Sequence, residues 1–333
     1  MAPPRRPLPA LIDELVEEIL LRFPPSEPAG LVRAALVCKR WGRLVSSPRF
    51  RRRFCDHHRA AAMLGVLCNL KEVNGEYVSR FVPAAPSGPR RPDHRGWRAL
   101  DARHGRVLLR SLVWGPYLNV WDPVTGERRQ LPMAPPHQYG WNAAVLCAAH
   151  DTCDHLYCRG GPFLVVILGA DDYHWIWTET KHVARLPKYG VHVVPPVLIG
   201  NALYFGIDLS RKASEFRQPP GSFGRFTMLT SMEDGRLGMA RLLGGRLSIW
   251  SMLAGSDVDA VWTQIRVIEL ERLLPVNALP ISCDFIGSVQ GFGVLFVGTK
   301  DGLYSVDIKC GTTRKVTVVA PRQLDSFGCW IQT

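Results

Sequence analysis

Hydrophobic periodicity changes once along this chain, near residue 60, and that change constrains the fold more than any other feature. Upstream, Leu11, Ile12, Leu15, Val16, Ile19, Leu20 and Phe23 recur at helical spacing, with Asp13, Glu14, Glu17 and Glu18 on the opposite face. Pro24-Pro25 ends this helix, because proline lacks a donor and pushes the residue before it out of the helical region. A second helix is expected from about Leu31, with Leu31, Ala35, Cys38, Trp41 and Val45 as its inner stripe and Ala34, Val37 and Leu44 widening it. Arg33, Lys39, Arg40 and Arg43 take its wet side. Ser47-Pro48 pairs a capping side chain with proline at the first helical position, so a short third helix carries Phe50 and Phe54. Three helices this short expose more apolar surface than they can cover. The module is expected to complete its core against a partner or the next domain.

From Met63 onwards the apolar residues come in short alternating runs separated by turn signals. These are Asn74-Gly75, His104-Gly105, Asp122-Pro123-Val124-Thr125-Gly126, Gly200-Asn201, Asp234-Gly235, Gly244-Gly245, Asp301-Gly302 and Cys310-Gly311. The stretch 84–96, rich in Pro, Gly and Arg, reads as an exposed loop. More than a dozen short strands with tryptophans repeated along them suit a propeller-like array in which each sheet covers its neighbour. The fold expected is therefore α+β and multidomain: a three-helix module over residues 8–60, then an all-β, propeller-like domain over 61–333. One blade is expected to be incomplete around 207–223, where the sequence turns polar and loses strand pattern.

The net charge of +12 comes from arginines spread along the chain, without a long basic tract interleaved with aromatics. Nucleic-acid binding is accordingly not expected, and docking to an acidic partner surface is the better use of that charge. The nine cysteines are unevenly spaced and the first apolar run is broken by four acids, so it is neither a signal segment nor a membrane span. Reduced thiols and a cytoplasmic or nuclear location follow as expectations. The sharpest chemical candidate is 147–158, with Cys147, His150, Cys153, His155 and Cys158 beside Asp151 and Asp154. Its spacing matches no common zinc finger or ribbon, so a turn with structural cysteines is expected and no metal. There is no GxSxG elbow, no GxGxxG after a strand and no phosphate-cradling loop. No catalytic residue and no cofactor are expected.

The N-terminal stretch resembles the F-box. The residues that carry the likeness are Asp13-Glu14-Leu15-Val16, Glu18-Ile19-Leu20, Arg22-Phe23-Pro24, Val37-Cys38-Lys39-Arg40-Trp41 and Ser47-Pro48-Arg49-Phe50. Ile12 stands where that pattern has proline. Downstream, 103–109, 120–126 and 200–205 resemble the propeller-like domain that follows the F-box in a large family of plant proteins. The resemblance implies a subunit that binds a Skp-family adaptor, and through it a cullin, with the β domain receiving a protein substrate for ubiquitination. It implies that Leu11, Leu15, Ile19, Leu20, Val37, Cys38 and Trp41 form or support the adaptor interface. The alternative is a non-degradative scaffold or regulatory binding protein of the same architecture.

Overall fold

The computed structural model describes residues 11–23, 28–58, 63–72, 74–83, 92–113, 115, 117–131, 141–149, 153, 158–169, 175–177, 190–191, 194–208, 227–232, 234–253, 261–278, 281–289, 293–299, 301–317 and 329–332. The chain divides into two compact units, residues 1–62 and 63–333. The first is helical: α1 (Asp13–Leu21), α2 (Pro28–Val37), α3 (Lys39–Ser46) and α4 (Pro48–His58). Four helices stand where three were expected, because the second breaks at Cys38, whose backbone is extended at φ −158° and ψ 161°. The break frees Arg40 to reach back to α1, where its Nε donates to Asp13 at 2.6 Å and Nη2 to the Leu11 carbonyl at 2.7 Å. Ser47 caps α4 as its sequence position implies, its Oγ accepting from the Phe50 amide at 3.1 Å.

Val16, Leu20, Leu21, Ala34 and Phe50 form the module's core, with Trp41, Leu44, Val45 and Phe54 packed against it. Two polar side chains of the module are drawn into its packing. Glu17 is buried and ion-paired with Arg53 of α4 at 3.0 Å. His58 meets the Leu21 carbonyl at the C-terminal end of α1 at 2.7 Å, its ring against Phe54.

The second unit is built of antiparallel sheets. The first holds Met63–Lys71, Tyr77–Pro83 and His94–Arg95; the second holds Trp97–Arg103, Arg106–Ser111, Leu118–Trp121 and Arg128–Gln130. The third holds Trp141–Cys147, Phe163–Gly169 and Trp175–Trp177. Two small pairs follow, Gly190–Val191 with Ile207–Asp208 and Val197–Ile199 with Ala202–Tyr204. The penultimate sheet comprises Thr227–Ser231, Leu237–Leu243, Arg246–Leu253 and Val261–Glu269. The last comprises Ile281–Val289, Val294–Thr299, Gly302–Asp307 and Thr313–Thr317. Of the stretch 207–223 only Ile207–Asp208 lies within the described residues.

Local chemistry sets each hairpin. Arg103 pairs with Arg106 across His104-Gly105, whose φ values of 52° and 70° are those of the tight turn that matches strand twist. Leu243 pairs with Arg246 across Gly244-Gly245 in the same manner, with φ of 56° and 75°. The Asp122 carboxylate accepts from the Val124 and Thr125 amides at 2.7 and 3.1 Å, closing the turn that its motif implies.

Neighbouring sheets pack face to face. Leu67 and Phe81 of the first meet Val107, Leu109 and Trp121 of the second, and Leu108 and Val120 of the second meet Trp141, Val145 and Ile167 of the third. Ile249 and Ile268 of the penultimate sheet pack on Leu295, Val297 and Val306 of the last. The last returns to the first through Phe296 and Leu303 against Val66, Leu70 and Val82. Closure is reinforced by Cys329–Gln332, which pairs with Met63–Leu67 and completes the first sheet with a strand from the far end of the chain. The array is propeller-like, as expected.

Buried polar side chains latch consecutive sheets by gripping backbone. Asn69 of the first sheet donates to the Ala99 carbonyl and accepts from the Ala99 amide of the second, each at 2.9 Å. Asp101 of the second accepts from the Val145 amide of the third at 2.9 Å and is held by Arg103 Nε at 3.0 Å. Asn142 of the third donates to the Val194 carbonyl at 2.6 Å. Burial raises the Asp101 carboxyl, and the charge of Arg103 opposes that rise.

The stretch 84–96 is not wholly an exposed loop. His94–Arg95 is a strand against Val78–Ser79, and His94 is buried with its ring 4.3 Å from that of Trp121. Arg128 Nη2 donates to His94 Nδ1 at 2.8 Å, which places the ring proton on Nε2, a buried atom without a hydrogen-bond partner among the described residues. Burial first, then the Arg128 charge, lowers the His94 pKa from 6.5 to about 4, with Asp93 opposing. The unfolded chain therefore takes up a proton below pH 6.5 that the folded protein refuses until about pH 4. Acidification through that window is expected to cost the fold on the order of 3 kcal/mol at this site. Urea denaturation at pH 7 and pH 4.5 should show a steeper loss for the parent protein than for His94→Gln; equal losses would exclude His94 as the cause.

Candidate functional site

The helical unit carries an apolar surface without a cover in its own fold. Leu15 and Ile19 on α1 are 50% and 48% exposed, and Leu11, one turn before Leu15, is similarly open. Leu36 and Val37 at the end of α2 are 79% and 66% exposed, and Val32 stands out one turn earlier. Small folded domains do scatter single apolar side chains on their surfaces. Here they run in rows at helical spacing, Leu11, Leu15 and Ile19 on one element and Val32 and Leu36 on the next. Such a row is the form that a docking face for another helix or sheet takes.

Residues 8–53 match the family model of the F-box domain. With that match, the seven residues that the resemblance singled out divide into two groups. Leu11, Leu15, Ile19, Val37 and Cys38 are exposed on the F-box surface. Leu20 is fully buried in the F-box core and Trp41 is half-buried against it, so these two can support a docking face but offer little to it. Val32 and Leu36 are exposed apolar residues that the sequence reading passed over. Leu31 and Ala34 keep the inward phase read from the sequence, and Val32 and Leu36 lie off that stripe on α2.

Ile12 precedes α1 with φ −69° and ψ 155°, and its carbonyl accepts the first helical bond from the Val16 amide at 3.2 Å. That φ is the one proline enforces. Ile12→Pro is therefore expected to stabilise the chain by about 0.4–1 kcal/mol, through lost freedom of the unfolded state. A lower melting temperature for the variant would show that the backbone there is less compatible than its angles indicate.

The first helix is fixed in place by charge. Asp13 pairs with Arg40 of α3, and Arg53 of α4 reaches both Glu17 and Glu18. Most of these groups are well exposed, so each pair contributes orientation more than stability.

Across the β domain, the described residues with metal-ligand character converge at one place, the thiols of Cys147, Cys153 and Cys158. The residues His150, Asp151, Asp154 and His155 of the same sequence stretch lie outside the described residues. Among the described residues, no helix is long and apolar enough to cross a membrane.

Solved structures similar to the chain include the WD40 domain of SCAP from fission yeast, at 12% identity and a TM-score of 0.26, covering 79% of this chain and 58% of that one. Others are Hsv2 from Kluyveromyces lactis, at 10% identity and 0.22 over 75% of this chain and 61% of that one, and the extracellular domain of a one-component system from B. thetaiotaomicron. The last has 13% identity and 0.36, covering 76% of this chain and 36% of that one. The chain spans less than two thirds of each, and these distant likenesses add nothing to the sheet packing described above. No curated protein matches the chain.

Proposed function

We propose that this chain is the substrate-recognition subunit of an SCF-type cullin RING ubiquitin ligase. The F-box binds a Skp-family adaptor and through it the cullin; the β domain receives a protein substrate. The single observation that carries this reading is the row of exposed apolar residues, Leu11, Leu15 and Ile19, on a helical unit whose sequence matches the F-box model. The chain itself makes and breaks no bonds. Its contribution is effective concentration, since holding a substrate beside a charged ubiquitin-conjugating enzyme turns a bimolecular encounter into a local one. Such a subunit works in the cytoplasm or nucleus.

Co-expression of the full chain with a Skp-family adaptor, followed by size-exclusion chromatography, tests the reading. A stable complex of the two is the expected result. An adaptor that elutes apart from a folded chain would overturn it.

A further inference from the structure

We propose that Cys147, Cys153 and Cys158 form a thiolate site for a zinc ion that pins the connection between two strands of the third sheet. This goes beyond the ligase reading and does not depend on it. Cys147 ends the strand Trp141–Cys147 and pairs in register with Phe163, the first residue of the returning strand. Cys158 opens a short 3-10 turn, Cys158–Gly160, just before that return, and Cys153 lies on the connection between them. Sequence spacing alone argued against a metal, because it matches no common finger; the fold supplies what spacing could not. All three sulfurs lie within 4.8 Å of one another. Around a tetrahedral ion with bonds of about 2.3 Å, thiolates stand roughly 3.8 Å apart, so ligation asks each sulfur to move by less than about an ångström.

Two further observations point to a charged occupant. The Ala149 amide donates to Cys147 Sγ at 3.4 Å, the kind of outer contact that stabilises a thiolate rather than a thiol. Arg106 is buried beside the cluster and is fixed there: its Nη2 donates to the Cys158 and Gly161 carbonyls at 2.5 and 2.6 Å, and its guanidinium lies 5.3 Å from the Phe163 ring centre. Its Nη1 is buried with no hydrogen-bond partner among the described residues.

Zinc binding balances this site without redox chemistry. Three S–H bonds break, three Zn–S bonds form and three protons leave to solvent. Three thiolates around a divalent ion leave one net negative charge, which Arg106 neutralises. A soft, all-sulfur donor set selects zinc over magnesium or calcium. The fourth position is open to a nitrogen or oxygen donor.

The test uses the full chain, expressed in zinc-supplemented medium and purified under reducing conditions. Elemental analysis is expected to find about one zinc per chain. Cys153→Ser should lose most of it, while Cys310→Ser, which removes a thiol outside the cluster, should keep it. Because Cys158 is buried and its substitution could perturb folding, a second readout uses the unaltered chain. Stripped of metal and given cobalt(II), it should show thiolate-to-metal charge-transfer absorption, and X-ray absorption of the zinc form should show three sulfur neighbours. Zinc absent from the parent chain, zinc retained equally by Cys153→Ser, or a disulfide joining two of the three cysteines would each overturn the proposal.

Discussion

Replacing Leu15 and Ile19 together with aspartate is expected to weaken capture of a Skp-family adaptor by at least about a hundredfold. Each side chain has about half its surface left to bury in the complex, worth about 0.8–1.5 kcal/mol apiece, and each 1.4 kcal/mol is about tenfold in affinity. The new carboxylates add a desolvation cost in the same direction. The folded module should not notice, because both positions are about half exposed in its own structure. Leu20→Asp makes the informative contrast. That side chain is fully buried among Val16, Leu21, Ala34 and Phe50, so its loss of binding would come with loss of the helical signal. Calorimetric titration of adaptor, with circular dichroism on the same samples, separates the two. Unchanged affinity in the double aspartate variant would place the docking face elsewhere.

Truncating the chain after residue 328 is expected to lower its melting temperature by about 10 °C and to make it aggregate. The missing segment, Cys329–Gln332, pairs with Met63–Leu67 through four register positions. Losing those backbone bonds, at about 1 kcal/mol each, removes a large part of a net stability that is only about 5–15 kcal/mol in all. A loss of that size corresponds to roughly 2–4 °C per kcal/mol in a domain somewhat smaller than this one. It also leaves Met63–Leu67 as an open edge, a template for pairing with another chain. Differential scanning calorimetry and light scattering report the two effects. A truncated chain that melts within about 2 °C of the parent would mean that the packing of Phe296 and Leu303 on Val66 and Val82 closes the array unaided.

What the sequence disclosed was chemistry acting over a few residues. Ser47 caps α4, His104-Gly105 and Gly244-Gly245 form tight turns, and Asp122 closes its own loop, because each depends only on its immediate neighbours. What it concealed depends on contacts made across long separations. His94 reads as part of a Pro-rich loop until Trp121 and Arg128 enclose it. Glu17 sits at a position of the wet face until Arg53 of α4 draws it in. The break at Cys38 carries neither proline nor glycine, so its cause lies in how α3 packs back on α1. The docking row was half legible: the resemblance singled out Leu11, Leu15 and Ile19 but not Val32 and Leu36, because period alone does not separate an outward apolar side chain from a core one such as Val16 or Leu20. The three thiols are the extreme case, since they meet through the fold of the connection between two strands and not through a recognisable spacing.

The latches at Asn69, Asp101 and Asn142 have one property in common: each holds main-chain atoms further along the chain, at Ala99, Val145 and Val194. A grip on backbone is indifferent to which side chain the gripped residue carries. The frame can therefore stay aligned while side chains at its rims and on its connecting loops are exchanged. A domain built this way separates the residues that keep it folded from those that its rims and loops present, and can change the second without being refolded to do so.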